Sequence, residues 1–155
     1  MTRAIIFSIL VNHVAPMASA QITQPLPCSD YYGRQVLYVP NPSLPDIGQA
    51  TVWNGQPTIF INPNILIQFS PIVQQWWYAH ECQHHALGLG SHTEAQADCF
   101  AGRALAQLGI LSSLADTAQL KFELSNLPGN QLSGHLPGTV RGAIVEQCAR
   151  EQGNF

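Results

Sequence analysis

Residues 80–84 read His-Glu-Cys-Gln-His, two imidazoles four positions apart with a carboxylate beside the first. On a helix, positions four apart are turned only about 40° from each other, so His80 and His84 leave one face and can grip a single metal ion. Glu81 stands next to that grip. A carboxylate there can take a proton from a metal-bound water, whose pKa a zinc ion lowers to roughly 7. The pattern is therefore one for hydrolysis, with Glu81 as the general base and Zn(2+) as the cofactor, provided that the segment is helical.

The flanks supply that helix. Pro71 suits a first turn, Ser70 is an N-cap residue before it, no Gly or Pro interrupts residues 72–87, and Gly88 follows as a stop. Trp76, Trp77, Tyr78, Ala79, Ala86 and Leu87 make this a largely buried helix. Buried histidines and a buried carboxylate need partners, and a metal ion is one partner for all three.

A catalytic zinc usually has three protein ligands and a water. A second helix is expected over residues 93–108, opening with Glu94 and carrying Asp98 four positions on. The pair divides the work naturally, with Glu94 as third ligand and Asp98 accepting the free ring N–H of a ligand histidine. Two other readings compete. Ser91 and Glu94 form an S-x-x-E capping box, in which Glu94 only closes the helix end. His92 and Asp98 are rival ligands, although in the extended pattern HExxHxxGxxH the glycine and third histidine fall three and six residues after the second His, and Gly88 and His92 miss that register. His85 is turned about 100° from His84 and is expected outside the ligand set or on the surface.

The blocks HECQHHALG and EAQADCFAGRA resemble the Glu-zincin metallopeptidases, in particular small secreted bacterial members. The resemblance is strongest over residues 71–105 and implies a zinc-dependent peptidase acting on a peptide or protein substrate. It carries over His80, His84 and Glu94 as metal ligands, Glu81 as base and Asp98 behind a ligand. It also implies an oxyanion-stabilising role for His135 and a loop-ordering or carboxylate-pairing role for Arg141, which resemble an H-P…R element that follows the third ligand in relatives, with Leu136 where proline is expected. The interval from His84 to Glu94 is short for the family, so a tight two-helix hairpin has to deliver Glu94. The competing function is a non-catalytic zinc-binding module that acts through a protein partner; the presence of Glu81 speaks for the enzyme.

The remaining elements form the frame. Residues 1–20 carry the marks of a signal peptide: Arg3, an apolar run over 4–11 and Ala18-Ser19-Ala20 as a cleavage site. The mature protein is then a single domain over 21–155, exported to the periplasm or the medium. Four cysteines survive, and an even number in an exported chain favours disulfides. Of three possible pairings, the reading favoured here joins Cys28 to Cys82 and Cys99 to Cys148. A net charge of −3 with only 10% charged residues argues against nucleic-acid binding, and the short interrupted apolar run argues against a membrane anchor.

The fold class expected is α+β, a three-stranded antiparallel sheet followed by a zincin-like half of about four helices. Strands are expected over 35–39, 50–53 and 58–61, the last two joined by Asn54-Gly55, with Pro57 at a strand end or edge. Such a sheet lies beside the metal in zincins, and its exposed edge can hold a peptide as an added strand. Further helices are expected over 112–126 and 139–152.

Overall fold

The computed structural model describes residues 21–129 and 134–153; the expected signal peptide lies outside these. Three strands, β1 (Leu37–Pro40), β2 (Gly48–Trp53) and β3 (Gln56–Ile61), precede five helices: α1 (Pro63–Leu66), α2 (Pro71–Ala86), α3 (Glu94–Gln107), α4 (Leu114–Ser125) and α5 (Gly138–Gln152). The α+β class holds. Among the described residues the helices number five rather than about four because Asn62 caps an extra short turn, accepting from Asn64 N with Pro63 in first position.

The sheet is mixed, which corrects the antiparallel expectation. Its order is β1-β3-β2, with β2 antiparallel and β1 parallel to β3. The hairpin forms as its turn residues dictate: Asn54 (φ 50°) and Gly55 (φ 77°) both take the positive φ of a type I′ turn. The proline-rich stretch after β1 then passes into β2 on the far side of β3, so β1 meets the central strand in the same direction. Pro57 sits on β3 beyond the end of β1, whose pairing begins at Leu37 and Thr58, so its missing N–H breaks no ladder bond there.

Helix α2 is the axis of the core. Ten of its residues are buried, among them Trp76, Trp77, His80 and Glu81, so it is enclosed on more than one side. Strand β2 covers one side, α3 and α4 pack on others, and α5 packs on α3 and α4. Ser70 occupies the N-cap position of α2 without a capping bond; its hydroxyl goes instead to the Glu123 carboxylate of α4. Cys28–Cys82 ties the N-terminal arm to α2, and Cys99–Cys148 ties α3 to α5. Both are the pairings favoured from the sequence, and each stabilises by typically 2–4 kcal/mol through the restricted unfolded chain. Among the described residues no helix is long and apolar enough to cross a membrane.

Candidate metal centre and catalytic cavity

Two helices bring the donor atoms together. His80 and His84 leave the same face of α2, their Nε2 atoms 3.1 Å apart. Glu94, the first residue of α3, lies 3.3 Å from His80 Nε2 through Oε2 and 3.5 Å from His84 Nε2 through Oε1. The short connection manages this because Gly88 and Gly90 turn the chain at φ 87° and 77°. The capping box expected from Ser91 and Glu94 does not form. Thr93 is the N-cap and pairs reciprocally with Gln96, while Ser91 Oγ donates to the carbonyls of Leu87 and Gly88. Glu94 is thereby released from capping and its carboxylate turns to the histidines.

The proton positions on the two rings follow from their outer partners. His80 Nδ1 lies 2.8 Å from Asp98 Oδ1, so the proton sits at Nδ1 and Nε2 offers its lone pair. At the other ring, the Gly88 carbonyl can only accept, so His92 Nδ1 carries the proton and His92 Nε2 is bare. His84 Nδ1, 2.7 Å away, must then donate to it, which leaves His84 Nε2 bare as well. Two lone pairs and a carboxylate thus face one point. Glu94 Oε2 is buried there with no hydrogen-bond partner. Two lone pairs and a carboxylate arranged this way repel one another, and a cation resolves the conflict.

The spacing suits a metal ion. In a tetrahedral site with bonds of about 2.0–2.1 Å, ligand atoms stand roughly 3.4 Å apart. The three separations above bracket that value. Two imidazoles with one carboxylate suit a divalent transition metal. For His84 the titration behaviour agrees: burial, reinforced by His80, pushes it down to about 3, so it stays neutral and ready to ligate. Burial also disfavours charge on His80, but the neighbouring carboxylates of Asp98 and Glu94 win and raise its pKa. Burial opposes ionisation of Glu94 and Asp98 too, yet their contacts with His80 hold both below the usual carboxylate range.

Asp98 is held in turn by Arg141 of α5. The fully buried guanidinium bonds both carboxylate oxygens through Nε, with Nη2 2.9 Å from Oδ1. It lies 4.4 Å from the ring centre of Trp76 and 4.9 Å from that of Trp77. Its Nη2 is 3.1 Å from each nitrogen of His80, so it sits over that ring rather than in line with either lone pair. Helices α3 and α5 approach closely enough for this because Gly102 has no side chain; a Cβ there would come within 2.8 Å of the Val145 carbonyl oxygen.

Glu81 borders the same cavity of about 320 Å³, which Gly48, Gln49 and Ala50 of β2 line together with His84, Leu89, Glu94 and His135. Its Oε1 is buried and has no hydrogen-bond partner. Burial raises its pKa, partly offset by His80 and His135. A carboxylate with a raised pKa is a stronger base than an exposed one, as general-base work favours. Gly48 is the residue that makes room: a Cβ there would lie 2.7 Å from Glu81 Cγ.

His135 reaches the site from the loop before α5. It is buried, with Nε2 3.8 Å from Glu94 Oε2 and Nδ1 3.3 Å from Asp46 Oδ2. His80, Glu94 and His135 together could hold a metal ion. His92 stands behind His84 rather than among the converging atoms. His85 corrects the surface alternative: it is buried, its Nε2 3.0 Å from the Thr58 carbonyl oxygen. Asp46 and Gly48 were not singled out from the sequence. A glycine just before an expected strand was the available signal for a close approach at Gly48; nothing local marks Asp46. Comparison with protein-family models, curated proteins and solved structures finds no match for this chain.

Proposed function

We propose that this protein is an exported zinc-dependent peptidase of the Glu-zincin kind. The observation that carries the reading is the convergence of bare Nε2 atoms on His80 and His84 with the Glu94 carboxylate, beside a buried and unpartnered Glu81 oxygen. Zinc would be held by His80, His84 and Glu94, and when bound it would supply Lewis acidity and a water of lowered pKa. Glu81 would accept that water's proton at Oε1 and deliver it to the leaving amine. Asp98 and Arg141 keep the His80 ring and its proton in place, and His92 does the same for His84. His135, its Nδ1 3.3 Å from Asp46 Oδ2, would donate from Nε2 to the developing oxyanion. The outer strand β2 borders the cavity and offers an edge along which a peptide could lie. The two disulfides are compatible with export.

One observation favours the second reading, a non-catalytic zinc module acting through a protein partner. His135 Nε2 lies 3.8 Å from Glu94 Oε2 in a group with His80 that could hold a metal ion, and as a fourth protein ligand it would close the site. A closed site has no use for the buried base at Glu81, which weighs for the enzyme. Glu81→Gln decides between them. The enzyme reading expects full metal content by elemental analysis with peptide turnover down by at least about 10²-fold. Wild-type protein that holds its metal and cleaves no peptide in a broad library supports the module instead.

A further inference from the structure

A second cavity, of about 410 Å³, opens between the tip of the hairpin and the C-terminal end of α2. Leu89 lines both this cavity and the catalytic one. So does β2: Ala50 borders the catalytic cavity and Val52 the second. These residues share a strand face and stand about 7 Å apart. The two spaces are therefore consecutive stations along one strand edge.

The far wall is Tyr31 and Tyr32, which are 69% and 80% exposed. They are displayed on an unusually well-anchored turn. Cys28–Cys82 staples it to α2, Tyr31 N donates to the His85 carbonyl, and Gly33 takes φ 78° to close it. Asp30 accepts from the backbone N–H groups of both Tyr32 and Arg34. The rings meet edge to face at 5.4 Å. Rigidly presented tyrosines lose little entropy on contact and bind mainly through apolar area. The only charges in the lining are Arg34 and Asp30, which pair with each other at 2.7 Å. His85 is turned away from the space, its Nε2 3.0 Å from the Thr58 carbonyl oxygen.

We propose that the cavity walled by Tyr31, Tyr32, Val52, Leu87 and Leu89 is a specificity subsite for a bulky uncharged side chain of the peptide substrate, about two residues along from the one seated against Ala50. This rests on the peptidase reading. The walls are mostly apolar, the two charges pair with each other, and the space shares Leu89 and strand β2 with the catalytic cavity. A charged side chain would find no free partner in it.

The test is binding, which does not require turnover. Zinc-loaded wild type is titrated with N-acetyl-Phe-Gly-Gly-Ala-amide, N-acetyl-Ala-Gly-Gly-Phe-amide and N-acetyl-Gly-Gly-Gly-Ala-amide, with the Val52 and Leu89 methyl resonances as readout. A Phe peptide should shift both and bind about tenfold or more tightly than the all-small peptide, a difference of about 1.4 kcal/mol. In Tyr31→Ala/Tyr32→Ala that preference should vanish, whereas Tyr31→Phe/Tyr32→Phe keeps it. No preference in the wild type, a preference that survives the double alanine variant, or tighter binding of chitotriose at the same methyls overturns the proposal. Phe-selective binding without cleavage leaves the subsite standing and removes the peptidase; cleavage without selectivity does the reverse.

Discussion

His92 Nε2 lies 2.7 Å from His84 Nδ1, and this contact decides which nitrogen His84 presents to the site. The Gly88 carbonyl fixes the proton on His92, and His92 fixes it on His84. His92→Ala should therefore weaken metal binding by about 10–100-fold, as removal of an orienting partner does. Competition with a chelator measures it. Loss as large as that of His84→Ala would instead make His92 a ligand.

Gly48→Ala probes the base without touching a charge. The added Cβ must displace Glu81, whose Cγ it would approach to 2.7 Å. Metal content should be unchanged while kcat falls by about 10²-fold, the scale expected for a displacement near 1 Å. Equal activity in the two proteins would show that Glu81 has room to spare.

Asp98 and Arg141 form a buried pair, with both side chains 2% exposed or less. Asp98→Asn leaves the guanidinium without its counter-charge and should cost about 3–5 kcal/mol in chemical denaturation. Asp98→Leu/Arg141→Leu removes both charges and should recover much of that stability. Metal affinity should not recover, because His80 still lacks its acceptor. Recovery of both would mean that Asp98 serves the fold alone.

His85 ties stability to pH. Burial lowers its pKa while its Nε2–H is held by the Thr58 carbonyl. The unfolded chain takes up this proton below about pH 6.5 and the folded protein does so only at lower pH. Stability contributed here is thus present above pH 6.5 and lost as pH falls. His84 has the same sign in metal-free protein, with its folded value at about 3; His80, whose pKa is raised, has the opposite sign. His85→Gln should flatten the fall in Tm between pH 7 and 5 relative to wild type, both metal-free. Parallel curves for the two proteins would rule His85 out as a source of the slope.

Much of the site was legible because it is local. The spacing of His80, Glu81 and His84 is read by the period of one helix, and Glu94 with Asp98 by the next. The hairpin was legible because Asn54-Gly55 has few alternatives to a type I′ turn. The direction of β1 was not: strand composition carries no sign, and which side of β3 the chain reaches depends on how the proline-rich connection packs. The capping choice between Ser91 and Thr93 was equally open, since both offer a hydroxyl three residues before a Glu or Gln.

By itself, then, the sequence determined the four longer helices, the paired positions His80/His84 and Glu94/Asp98 and the glycines that stop and turn the chain, because each depends on neighbours within a few positions. Only the tertiary structure decided that His92 serves His84, that Arg141 clamps Asp98, that Gly48 gives way to Glu81 and that His135 stands over Glu94 beside Asp46. Those contacts join segments far apart in the chain or across a turn. Which partner a buried polar group finds is set by how the helices pack around α2.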